Sequence, residues 1–125
     1  MGLIPCTTHA PVAPSTVDLV LRALRSSLGE ELRGRRIAVL GLGPADVRLV
    51  DSLIGQGAAV SAHDPGCSDG ARTWLGNRAL LLDDPYLAAT EADALVLSTA
   101  WSSERPDLER LRGCMARPLL VDARP

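Results

Sequence analysis

The sequence predicts an α/β domain built on a doubly wound parallel sheet, and three observations carry the prediction. Short apolar runs rich in Val, Ile, Leu and Ala alternate with segments of helical spacing along the chain. The first of these runs ends in a glycine turn, Gly41-Leu42-Gly43. The core must also be aliphatic: hydrophobic residues make up 46% of the chain, aromatics only 2%, and phenylalanine is absent. That palette suits strands buried on both faces. With 125 residues the chain is one domain by length, too short for a cofactor domain plus a separate catalytic domain.

The elements follow in order. Residues 1–14 hold three prolines and little periodicity and read as an extended arm. Residues 15–33 form an amphipathic helix and linker: Val17, Val20, Leu21, Leu24 and Leu28 recur at helical spacing, Ser15 caps, Asp18 complements the helix dipole and Gly29 stops it. Residues 34–125 form the sheet domain. RRIAVLGL is the first strand, and a helix from about Asp46 to Gln56 follows, with Val47, Val50 and Ile54 on one face and Gly57 at its end. AAVSAHD is the second strand, SDGARTWLG a short helix or turn, and RALLL the third strand. DPYLAATEA is a short helix starting at Pro85, DALVLST the fourth strand, PDLERLRGCM a helix opened by Pro106, and RPLLVDA the fifth strand. Right-handed crossovers between parallel strands favour a Rossmann-like order 3-2-1-4-5.

Charge and cysteine usage narrow the function classes. Fifteen acids against thirteen bases leave a net charge of −2, which offers no field for nucleic acid or an anionic membrane. All the bases are arginine, so no lysine can act as Schiff base or phosphate clamp. Cys6, Cys67 and Cys114 are dispersed without a CxxC pair, and no signal-like or membrane-spanning run is present, so a reducing cytoplasm is expected. Neither His9 nor His63 has a neighbour that would complete a metal set or a nucleophile–base pair, and Cys6 with His9 is no supported nucleophile. No catalytic and no metal-binding residue is assigned.

In an open α/β sheet the ligand sits at the carboxyl ends of the strands where strand order reverses, here between the first and fourth strands. The residues at that edge are Gly41 to Arg48, Asp64, Ser98 to Trp101 and Asp122 to Arg124. Gly41, Leu42 and Gly43 supply the first two glycines of a GxGxxG turn, but Asp46 stands where the third would be and reads as a helix cap. Asp64 falls where a ribose-binding acid would lie, or is a strand-end acid of a plain βα turn. Arg48 could pair with phosphate or be a solvated helix arginine, and Arg124 could reach the same edge or be a frayed terminus. Trp101 could stack on a ring or cover the core.

Together these segments resemble the C-terminal, UDP-binding domain of the UDP-glucose/GDP-mannose dehydrogenase family. GRRIAVLGL corresponds to its strand, GLGPADVR to its Gly-Leu-Ala-Phe-Lys-Pro-x-Thr-Asp-Asp-x-Arg segment, GAAVSAHDP to Gly-Ala-x-Val-x-x-Tyr-Asp-Pro, DALVLSTAW to Asp-Ala-x-Val-x-x-Thr-Glu-Trp and RPLLVDAR to Pro-x-x-Val-Asp-x-Arg. The loop is four residues shorter here, its Phe-Lys is absent, and Ala100 replaces the glutamate before Trp101. The resemblance implies a UDP or UDP-sugar-like ligand near Gly41, Leu42, Gly43, Arg48, Thr99, Trp101 and Arg124. By position, it makes Arg48 the arginine that reaches a nicotinamide cofactor across the cleft and Arg124 the one near UDP. It also implies dimerisation through the helix of residues 15–33, and no matching segment supplies a catalytic cysteine. Three readings stay open: a stand-alone, non-catalytic nucleotide-sugar-binding homodimer; a subunit of a split dehydrogenase that shares NAD with a partner Rossmann protein; and an interaction scaffold.

Overall fold

The computed structural model describes residues 16–42, 44–64, 69–98 and 107–122. In chain order the elements are α1 (Thr16–Leu28), β1 (Arg36–Leu40), α2 (Pro44–Gly55), β2 (Ala59–His63), α3 (Asp69–Leu75), β3 (Leu80–Leu81), α4 (Pro85–Ala89), β4 (Ala94–Leu97), α5 (Leu108–Cys114) and β5 (Leu120–Asp122). The strands form one parallel sheet in the order β3-β2-β1-β4-β5, as the alternating pattern predicts.

Side chains alternate across β1 and divide the core into two layers. Ile37 and Val39 face α1 and α2, together with Val60 and Ala62 of β2 and Ala94 and Val96 of β4. Ala38 and Leu40 face the opposite side, where Leu95, Leu97, Leu111 and the alanines 88, 89 and 92 fill the space. Both faces of the central strands are therefore dry, which is why β1 and β4 read as uninterrupted apolar runs. Tyr86 joins α4 to α5: its hydroxyl accepts from the Asp107 amide at 2.9 Å, and the Arg110 guanidinium lies 3.9 Å from its ring centre.

Several sequence expectations shift by a residue or a turn. The α2 helix starts at Pro44, two residues before the expected Asp46. Its buried stripe is Asp46, Leu49, Val50 and Leu53, while Val47 and Ile54 are half-buried at its margins. The third strand contracts to Leu80–Leu81 because it is a sheet edge, paired on one side only with Ser61 and Ala62 of β2. Asp107, rather than Pro106, opens α5, its carboxylate accepting from the amides of Glu109 and Arg110 at 3.0 and 3.3 Å. The cap expected at Ser15 lies outside the described residues, as does Pro106 itself.

The apolar face of α1 is used inside the chain. Val20, Leu21, Leu24 and Leu28 are buried in the same layer as α2, and Leu19 is its exposed large apolar residue at 50%. The helix is tied laterally by Arg25, which donates to Gln56 at 2.6 Å, and at its end by Arg35, which donates to the Leu28 carbonyl at 2.9 Å. The apolar face of the helix is thus covered by the chain's own core, and the face it offers outward carries Asp18 and Arg22.

Three substitutions test this packing. Leu53→Ala, at a fully buried position, is expected to lower unfolding free energy by about 2–5 kcal/mol in urea titrations. Gly57→Ala is expected to cost more than about 1 kcal/mol, since Gly57 has φ of 87° and a Cβ there would lie 3.1 Å from the Arg33 Cα. Gly55→Ala meets nothing within 4 Å and should be neutral or stabilising by up to about 1 kcal/mol.

Candidate functional site

The topology reverses between β1 and β4, so the crevice lies where these strands end, at Gly41 and Ser98. Gly41 has φ of 101°, a conformation that side-chain-bearing residues rarely adopt, which explains the glycine without invoking a ligand. Its amide continues the sheet, donating to the His63 carbonyl at 2.8 Å. The next amide, of Leu42, donates to Asp64 Oδ2 at 2.7 Å, and the Leu42 side chain is buried in the core. Both amides are thus spent within the protein.

Asp46 occupies the third-glycine position and is 5% exposed. It lies inside the first turn of α2 rather than ahead of it, so the expectation of a helix cap gives way to a cross-link: its carboxylate accepts the hydroxyl of Ser98, a residue with no exposed surface at the end of β4. The Ser98 amide in turn donates to the Leu40 carbonyl at 2.9 Å. A carboxyl group at a helix N-terminus complements the helix dipole as an anionic ligand would. With these two amides engaged, neither the Gly41 nor the Leu42 amide is open to the pyrophosphate of a dinucleotide.

The other candidates separate clearly. Asp64 is half-buried and braces the glycine turn, which favours the strand-end reading over free presentation to a ribose. His63 is 3% exposed and its Nδ1 donates to the Leu82 carbonyl at 2.8 Å, joining β2 to the end of β3. Arg48, in the second turn of α2, is exposed at this edge and forms no ion pair or hydrogen bond with another described residue. Asp122 ends β5 opposite Leu97 and is exposed. Gly43, Thr99, Trp101, Arg124, Cys6, His9 and Cys67 lie outside the described residues. Among the described residues no group of three or more His, Cys, Asp or Glu could hold a metal ion, and no helix is long and apolar enough to cross a membrane.

Residues 45–125 match the model of the UDP-glucose/GDP-mannose dehydrogenase family, UDP binding domain. The chain belongs to this family. The matched segment starts in the first turn of α2 and runs through β5, so it contains Asp46, Arg48, Asp64 and Ser98. UDP-glucose 6-dehydrogenase of Rhizobium meliloti is 40% identical over 82% of this chain and 26% of its own length. The enzyme of the same name from Pseudomonas aeruginosa is 37% identical over 86% of this chain and 27% of its own. This chain thus spans about a quarter of the length of the curated relatives it matches. A UDP-glucose dehydrogenase from Pyrobaculum islandicum shares the fold with a TM-score of 0.65 and 24% identity, over 88% of this chain and 26% of that one.

Sequence reasoning missed the Asp46–Ser98 pair, although one signal pointed to it. Asp46, Leu49, Val50 and Leu53 stand at i, i+3, i+4 and i+7, which places the acid at the head of an apolar stripe. An acid there must find an internal donor.

Ser98→Ala leaves a buried carboxyl group short of a donor and is expected to cost about 1–3 kcal/mol of unfolding free energy in denaturant titrations. Asp64→Ala strands the Leu42 amide at a more accessible position and should cost about 0.5–1.5 kcal/mol.

Proposed function

We propose that this chain binds a uridine nucleotide or UDP-sugar at the carboxyl edge of β1 and β4, and that it does not carry out the redox chemistry alone. The observation that supports the reading best is the family match, which begins at the helix turn leading to the exposed Arg48. Since the Gly41 and Leu42 amides are engaged, the diphosphate would be met by arginine side chains rather than by those amides: Arg124 and, where no NAD-holding unit engages it, Arg48. Thr99 and Trp101 would complete the site from the segment after β4, Trp101 by stacking on the ring.

A second reading concerns the reaction. The curated relatives are named UDP-glucose 6-dehydrogenases and are far longer than this chain. Oxidising an alcohol to an acid requires a hydride acceptor, a nucleophile and acid/base groups in one cleft. The Gly41 and Leu42 amides are not open to a dinucleotide. In this reading NAD is held by another Rossmann unit, and this domain contributes the nucleotide-sugar half of a shared site.

Calorimetric titration with UDP, UDP-glucose, UDP-glucuronate and NAD separately tests the proposal. The uridine nucleotides are expected to bind with micromolar affinity and NAD alone to give no heat. Replacing Arg48 and Arg124 together by alanine removes two charge-assisted contacts, each worth about 1.5–3 kcal/mol, and is expected to weaken UDP by on the order of 100-fold or more. Unchanged affinity in that double variant, or no heat from any uridine nucleotide, overturns the reading. NAD-dependent turnover of UDP-glucose only in a mixture with an NAD-binding Rossmann protein would support the shared-site form.

A further inference from the structure

The crevice has a second wall. Helices α4 and α5 lie on the opposite face of the sheet from α2, over Ala38 and Leu40 of β1 and Leu95 and Leu97 of β4. They run side by side in the same direction. In front, the Asp107 amide donates to the Tyr86 hydroxyl at 2.9 Å; behind, the Glu91 amide donates to the Cys114 carbonyl at 2.9 Å. Each helix follows the carboxyl end of one strand and leads back to the start of the next, so both first turns stand at the carboxyl edge, where the crevice opens.

Arg110, in the first turn of α5, lays its guanidinium over the Tyr86 ring, 3.9 Å from its centre. The ring is held at both ends. At one, the Tyr86 amide donates to Asp84 and its carbonyl accepts the Thr90 hydroxyl, each at 2.8 Å; at the other, its hydroxyl takes the Asp107 amide. The Asp107 carboxylate accepts the Arg110 amide at 3.3 Å, so one residue references both members of the stack. An arginine loose in solvent must give up its rotamers to hold a ligand, whereas one lying flat on a fixed ring has surrendered them already. Stacking uses the face of the guanidinium and leaves its N–H donors pointing outward in the plane. The comparison with Arg78 is informative. That arginine also stacks, 4.8 Å from the centre of the Trp74 ring, but its donors are spent on Asp51 at 3.3 Å. The Arg110 guanidinium forms no ion pair or hydrogen bond with another described residue.

We propose that Arg110, backed by Tyr86, binds an oxyanion of the nucleotide sugar from the α4/α5 wall of the crevice. A planar fork of N–H donors matches the paired oxygens of a phosphate or a carboxylate. The diphosphate supplies the first, and the carboxylate of a uronate sugar supplies the second. This inference rests on the reading that a uridine nucleotide binds at this edge.

The test is calorimetric titration of UDP, UDP-glucose and UDP-glucuronate into the full chain and its variants. Arg110 is exposed, so Arg110→Ala is expected to keep the wild-type melting temperature. It is expected to weaken binding about tenfold or more. A loss with all three ligands identifies the diphosphate as the oxyanion, and a loss confined to UDP-glucuronate identifies the sugar carboxylate. Arg112→Ala removes the same charge from the same helix, at a residue already paired with Glu109, and is expected to change each affinity less than about twofold. Tyr86→Leu withdraws the ring beneath Arg110. It is expected to weaken the same ligands about threefold, and to add nothing once Arg110 is alanine. The proposal is overturned if Arg110→Ala changes none of the three affinities by more than about twofold. It is equally overturned if Arg112→Ala reproduces the loss, or if Tyr86→Leu still weakens binding in the absence of Arg110. A wild-type chain that binds no uridine nucleotide overturns the functional reading itself, and does so before any variant is made.

Discussion

The parallel pairing of β1 with β4 is the constraint on which the remaining structure depends. Because β2 and β3 lie on the far side of β1, the chain must cross back over the sheet to place β4 there, and that reversal opens the crevice. The pairing is closed at both ends by side chains as well as by its ladder. At the start, Asp93 accepts from the Arg36 amide at 2.9 Å while its own amide donates to the Arg36 carbonyl at 2.7 Å. At the finish, Ser98 donates its amide to Leu40 and its hydroxyl to Asp46. Helix α2 is thereby referenced to both strands that flank the crevice.

The same pairing explains why a glycine turn of familiar pattern serves here as structure. A nucleotide-binding turn needs unspent amides and an empty helix N-terminus. Here Asp64 takes the Leu42 amide and Asp46 places a carboxyl group in the first turn of α2. These two internal acids bind the turn and the helix start to the rest of the sheet.

Helix α1 belongs to the same economy of faces. Its apolar residues cover the layer formed by Ile37, Val39 and the inner side of α2, and its polar surface is left outward. An amphipathic helix at the start of a sequence advertises only that it needs an apolar partner. Whether the partner is another chain or the helix's own sheet depends on contacts between residues far apart in sequence, here between α1 and β5 as well as α2.

The architecture was legible because local pattern and global fold agree. Alternating short apolar runs and helical spacings determine a parallel sheet, the glycines at 29, 41 and 57 mark the joints, and the sequence motifs that contain Asp64, Trp101 and Arg124 carry the family resemblance. The roles of the acids were not legible. Asp46 reads as a helix cap until Ser98 is seen beside it, and Asp64 stays open between a ribose acid and a strand-end acid until the Leu42 amide is seen to donate to it. The sequence by itself determined the element order, the aliphatic two-layer core, the strand order and the family. Only the tertiary structure decided which polar groups spend themselves on one another. Hydrophobic periodicity is a local property of the chain, whereas a hydrogen-bond partner separated by a crossover is set by where the folded backbone brings it.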